Sequence, residues 1–130
     1  AKVSNAPEVV IWGTGTPKRE FLYVDDMAAA SVFVMQLDKK TYDNQTEPMQ
    51  SHLNVGFGSD VTIAELAKTV GTAVGYQGKI SFDSSMPDGT PRKWMNSSKL
   101  QALGWTPLYP LKLGLELAYA DYQHTIRAAK

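Results

Sequence analysis

The 130-residue chain has no cysteine. A disulfide scaffold, a thiolate zinc site and a cysteine nucleophile are therefore excluded for it. Histidine is scarce as well. His52 and His124 stand far apart with no ligand spacing around either, so no metal site is expected. An excess of one charge is also missing: 13 Lys and Arg face 13 Asp and Glu, for a formal net charge of zero. Nucleic-acid affinity rests largely on clustered surplus Lys and Arg, and that balance argues against it. A local basic patch for one small anion remains open. No apolar run approaches the ~20 residues that span a bilayer, so no membrane segment is expected. No leader pattern opens the chain. It begins at Ala1 within "AKVSNAPEV", which carries no start signal for an element, and this reads as a chain cut from something longer.

Several motifs are absent too. "GTGTPKRE" (13–20) lacks the Gly-Lys-Ser/Thr ending of a P-loop and is not G-x-G-x-x-G. No G-x-S-x-G elbow occurs. No Tyr stands four residues before a Lys, since Tyr76 and Lys79 are only three apart.

What is present is ordinary globular composition, 43% hydrophobic and 20% charged, in a length that suits one domain with a core of its own. "VVIWG" (9–13) reads as a short buried strand and "FLYV" (21–24) as a second one. "DDMAAASVFVMQL" (25–37) reads as a helix capped by Asp25, with Met27, Ala30, Val34 and Leu37 inward. Residues 38–51 are polar, contain Pro48 and read as a surface loop. "HLNVGFGS" (52–59) reads as a strand. Over 61–75, Thr62 and Glu65 form a capping box, Ile63, Leu66, Ala67 and Val70 an apolar face, and Gly75 a stop. "KISFD" (79–83) is a strand. "NSSKLQALGW" (96–105) is a short helix capped by Asn96 or Ser97 and stopped at Gly104. Residues 111–128 are a last helix, with Leu113, Leu117, Ala120 and Ile126 among its buried candidates.

This alternation implies an α/β fold with a small, partly parallel sheet and flanking helices. Such sheets carry ligand sites at the carboxyl ends of their strands. Two loops leaving such ends carry Arg or Lys, 13–20 and 83–93.

In the first loop, Lys18 and Arg19 either grip a phosphate or are solvated charges on a glycine-rich turn. The residues alone favour the turn. Trp12 is a stacking residue or a core aromatic, and the core is favoured. Asp25 and Asp26 fit a helix start better than an acid–base pair. His52 has no spaced partner for general-base work and reads as an exposed strand-edge residue. In "PDGTPRKW" (87–94), Asp88 can accept from ring N–H, amine or ribose hydroxyl groups. Arg92 and Lys93 can meet phosphates, and Pro87 and Pro91 stiffen the loop. The rival is a surface turn built on Asp-Gly. The two stand level.

Taken in order, "VVIWGTGTPKREFLYVDDMAAA", "HLNVGFGSDVTIAELA", "FDSSMPDGTPRKWM" and "LGWTPLYPLKLGL" resemble the C-terminal part of the GDP-L-fucose synthases. These are a branch of the extended short-chain dehydrogenase/reductases that act on nucleotide sugars. The resemblance runs over nearly the whole chain. The first block is shared widely among nucleotide-sugar epimerases and dehydratases, and "PDGTPRK" is more specific to the fucose synthases.

The resemblance implies a substrate-binding domain over residues 1–130, without catalytic residues of its own. NADP(H) would be bound by an N-terminal Rossmann domain that also carries the catalytic Ser/Tyr/Lys and Cys/His. It implies that Trp12 contacts the GDP-sugar, Arg19 grips the diphosphate, Asp88 belongs to the nucleotide clamp and Lys93 supports it. It further implies a GDP-sugar partner, a homodimeric parent enzyme and a cytoplasmic location. Tyr23, Lys18, Pro110 and the run Trp94-Met95-Asn96 depart from the family pattern, and the last leaves open how the following helix is capped. A UDP- or dTDP-sugar enzyme of the same superfamily and a non-catalytic nucleotide-binding module are the alternatives.

Overall fold

The computed structural model describes residues 1–128, with side chains as far as Thr125. They form two compact units. The first comprises residues 1–19, 61–93 and the C-terminal helix from Leu111. Its frame is a parallel pair, β1 (Glu8–Trp12) with β4 (Lys79–Asp83), in register from Glu8↔Lys79 to Trp12↔Asp83. Both strands therefore end on one side, and the loops 13–17 and 84–91 leave from there. A second parallel pair follows. β2 (Lys18–Glu20) and β5 (Arg92–Lys93) align Lys18 with Arg92 and Arg19 with Lys93. β3 (Asp60–Thr62) completes that sheet in the order β3-β2-β5.

A helix of residues Ile63–Val74, α3, follows β3. Thr62 accepts from Glu65 N while Glu65 receives the Thr62 N–H, a complete capping box, and Gly75 closes the helix at φ 71°. Gly71 is buried in it, and a Cβ there would lie 3.3 Å from Ile80 Cδ1. The ~1 kcal/mol that glycine costs a helix interior is thus spent on close approach of α3 to β4. The last helix, α5, runs over Leu111–Ala128. Its expected burial is corrected: Leu113, Leu117 and Ala120 are exposed, Gly114 is the buried position, and the Ile126 side chain lies outside those described.

The second unit comprises residues 20–60 and 94–110. Its core is Ala30, Leu100 and Trp105, packed by Leu22, Phe33, Val34, Leu53 and Val55. Ala30 and Phe33 belong to α1 (Val24–Met35) and Leu100 to α4 (Ser98–Ala102). Residues 21–23 are not the expected strand. The chain leaves β2 at Glu20, and Tyr23 is the extended N-cap of α1, so Asp25 falls in the first turn instead of capping it. Met27 faces outward, 43% exposed. Residues 38–51 are not all loop: Asp38 accepts from Thr41 N and starts a short helix, α2 (Lys39–Asp43). Residues 52–59 form no strand. Gly58 sits at φ 92°, where extended pairing stops, and its N–H goes to Glu20 Oε1. Asn96 settles the start of α4, because its Oδ1 accepts from Ser98 N while Ser97 makes no side-chain cap bond. No described helix is long and apolar enough to cross a membrane.

Candidate functional site

All four candidate residues lie in the first unit, on the two loops and the strand ends that flank them. Trp12 ends β1 and is 70% exposed, which removes the core reading. The backbone turns at once: Gly13, at φ 86°, donates its N–H to Asp83 O at 2.9 Å. Asp83 also receives Ser85 N–H and Oγ–H, which starts the second loop as an Asx turn and holds the Asp83 carboxyl below its usual pKa.

The two loops are joined through Asp88. Its Oδ1 accepts from Thr14 N at 2.8 Å and its Oδ2 from Thr14 Oγ1 at 2.7 Å. A Cβ on Gly13 would come within 2.3 Å of Asp88 Oδ1. Glycine at 13 is therefore what lets the carboxylate reach its partner, besides supplying the positive φ. The seam continues where Lys18 N donates to Pro91 O at 2.8 Å and the chains enter the paired strands β2 and β5.

Register sorts the cations. Side chains of directly paired strand residues share a face and alternate along the strand. Arg19 and Lys93 thus share one face, and Lys18 and Arg92 the other. Arg19 donates from Nη1 to Lys18 O at 2.6 Å, and its Nη2 lies 3.1 Å from where a Cβ on Gly89 would stand. Gly89 therefore gives the guanidinium room beside the Asp88 loop. Lys18 lies near Glu65, whose carboxyl is held down mainly by the Thr62 hydrogen bonds and further by the Lys18 charge. A planar cation and a flexible one on one face, next to a tied carboxylate, make an arrangement that can hold a diphosphate and an adjoining donor group.

A concavity of about 540 Å³ in this unit opens elsewhere. Val9, Ile11, Leu66, Val70, Ile80 and Tyr119 are among its lining residues, and none of the four candidates is. These walls are mainly apolar, and the one lysine among the lining residues, Lys2, already donates to Val74 O and Tyr119 Oη.

Residues 1–56 match a family model described as the NAD dependent epimerase/dehydratase family. The chain is 54% identical to the GDP-L-fucose synthase of Escherichia coli (strain K12) over 119 residues, which are 92% of this chain and 37% of that protein. It is 54% identical over all 130 residues to the probable GDP-L-fucose synthase 1 of Oryza sativa subsp. japonica, again 37% of the relative. The chain is homologous to the GDP-L-fucose synthases. It spans just over a third of the length of these relatives. Among solved structures, a GDP-6-OMe-4-keto-L-xylo-heptose reductase from C. jejuni superposes with a TM-score of 0.80 at 37% identity, over 91% of this chain and 34% of that one.

Within this homologue of the fucose synthases, the long-range contacts of two residues, one at the site and one away from it, escape a reading of the sequence. Thr14 is one; its partner Asp88 is 74 residues away, and no local spacing announces it. Asp26 is the other, in the second unit. It is 2% exposed and accepts from Leu108 N at 2.8 Å and Tyr109 N at 3.0 Å. The Asp25-Asp26 pair is thus structural, as its position implies, but Asp26 acts as a long-range backbone tie and not only through the helix dipole.

Proposed function

We propose that this chain is the GDP-sugar-binding domain of an NADP-dependent GDP-L-fucose synthase. The whole enzyme converts GDP-4-keto-6-deoxy-D-mannose to GDP-L-fucose by 3,5-epimerisation and 4-keto reduction. The observation that carries this reading is the seam between the loops 13–17 and 84–91, where Asp88 is fixed by Thr14 and Arg19 shares a face with Lys93. The fucose synthases and the heptose reductase have names that differ in the sugar and share GDP. Binding the GDP end is accordingly the task assigned here. Arg19 and Lys93 hold the diphosphate, Asp88 accepts from the nucleoside and the exposed Trp12 lies against the ligand. Contacts remote from the reacting carbons orient the sugar, and that is how binding energy assists chemistry elsewhere.

The Gly-rich turn 13–16 does not fit a dinucleotide. The turn 13–16 runs into strand β2, whereas a dinucleotide cradle needs a helix N-terminus there. We therefore assign the cofactor, and with it every chemical step, to the remainder of the enzyme. On this reading the enzyme is a cytoplasmic homodimer.

Titration of the chain with GDP by calorimetry, with intrinsic tryptophan fluorescence compared between wild type and Trp12→Phe as a second signal, tests the assignment. Saturable binding of GDP in preference to UDP and dTDP is expected, as is no NADPH oxidation by the chain with GDP-4-keto-6-deoxymannose. Equal binding of the three nucleotides would favour a related nucleotide-sugar enzyme, and no binding would refute the reading.

A further inference from the structure

We infer that Thr14 is a positioning residue for the nucleotide, acting through Asp88. The inference rests on the GDP-binding reading above. Thr14 gives both of its donors to one carboxylate, its N–H to Oδ1 and its hydroxyl to Oδ2. An ionised carboxylate only accepts, so the Thr14 hydroxyl proton is committed to Asp88. That fixes the direction of the next contact: in the 2.7 Å pair between Thr14 Oγ1 and Thr16 Oγ1, Thr16 is the donor. Thr16 N donates to the same oxygen at 3.2 Å. The Thr14 hydroxyl is then saturated, with one proton given and two received, and its rotation is locked.

The two bonds grip both oxygens of Asp88 and fix the plane of the carboxylate. Asp88 is itself exposed. A carboxylate has about four acceptor positions, and Thr14 takes two, so the others are presented in a set orientation. A donor pair on a nucleobase or a ribose needs that orientation, because hydrogen bonds weaken steeply off axis. Thr14 has no need to touch the ligand. Arg19 and Lys93 would hold the diphosphate without it, and what it adds is fidelity at the nucleoside end.

The test uses the whole chain and calorimetric GDP affinity. Thr14→Val keeps the branched shape and the N–H but removes the hydroxyl. Its GDP dissociation constant should rise about tenfold, the scale of one lost hydrogen bond to a charged group. Thr14→Ser should bind within about twofold of wild type, since it restores the donor. Asp88→Ala should weaken GDP at least as much as Thr14→Val, and the double variant should be no weaker than Asp88→Ala, because the threonine acts through the aspartate. Far-UV circular dichroism checks that each variant folds, and Thr14→Ala replaces the valine variant if that one does not. Unchanged GDP affinity in Thr14→Val beside a weakened Asp88→Ala would overturn the inference and leave the GDP-binding reading standing. Additive losses in the double variant would also overturn it. Absence of GDP binding by the wild-type chain would remove both.

Discussion

Gly13→Ala is the smallest change that separates the two loops. The added Cβ would stand 2.3 Å from Asp88 Oδ1 and 3.3 Å from its Cγ. Carbon and oxygen rest about 1 Å farther apart than the first of these distances. The Asp88 bonds to Thr14 measure 2.8 and 2.7 Å. Retreat by about 1 Å would stretch them beyond hydrogen-bond range. The backbone adds to this, since φ 86° costs an L-residue about 1–2 kcal/mol. The exposed carboxylate regains water, so most of the stability loss is that backbone term, about 1–2 kcal/mol. Binding is hit harder, because both bonds that orient Asp88 go together. GDP affinity should fall by about 30-fold or more, the scale of roughly 2 kcal/mol or more. Calorimetric titration reads the affinity and thermal denaturation the stability. A Gly13→Ala chain that binds GDP like wild type would show that the carboxylate's position is irrelevant to the ligand.

Other expectations follow from single groups. Arg19→Ala should weaken GDP by about 1.5–3 kcal/mol while leaving guanosine affinity nearly unchanged; equal losses for the two would refute the diphosphate role. Asp26→Ala leaves the Leu108 and Tyr109 N–H groups without their buried acceptor and should cost about 2–4 kcal/mol of stability in urea unfolding, with Asp26→Asn losing about half as much; a change below about 0.5 kcal/mol would remove the tie. The carboxyl of Glu65 is held below its usual value by the Thr62 hydrogen bonds. A depressed folded-state pKa means the unfolded chain binds the proton more readily, so this contribution is present above about pH 4.3 and fades as pH falls through the folded value. The melting temperature of Glu65→Gln should therefore fall less steeply than wild type between about pH 5 and 3, and parallel curves would refute the linkage.

The elements legible in the sequence are those whose cause is local. The capping box at Thr62 and Glu65 and the Gly75 stop need only neighbouring residues, the strand 79–83 is announced by its own composition, and each is in place. The misread elements have distant causes. "FLYV" has strand composition, yet Leu22 packs into the core of the second unit and Tyr23 caps α1. "HLNVGFGS" is apolar enough for a strand, but its backbone is served by Glu20, 38 residues away at Gly58. β5 has only two residues, too few for any periodicity, and its pairing with β2 is set by the seam that precedes it. Asp38 was legible in principle, since an Asp three residues before a Thr N–H is a local cap; the polarity of 38–51 masked it.

The same distinction governs the site. Asp88 sits on, and Arg19 and Lys93 directly follow, loops whose place at strand ends the β-α alternation anticipates. General burial favours Trp12 as core, and its exposure follows from ending β1 immediately before the Gly13 turn. The pairing of Arg19 with Lys93 instead of Arg92 is a matter of register, which a one-residue slip would reverse. No composition rule carries that information.

The zero net charge also takes on a definite meaning. Lys18, Arg19, Arg92 and Lys93 concentrate positive charge in two paired strand segments, and Glu65 and Asp88 flank them. At physiological salt, charges act over about 8 Å, so a ligand at this seam is governed by those groups and not by the chain's total. Glu65 is engaged by the α3 cap and Asp88 by Thr14, so neither carboxylate need pair with Arg19 or Lys93. Outside the seam the charges therefore sum to a small negative excess, which gives no general attraction to long polyanions, while the paired strands keep a local positive excess where the proposed diphosphate would sit. On the proposed reading, neutrality overall and basicity at the seam are complementary: the first would disfavour nucleic acid, and the second would retain one small nucleotide.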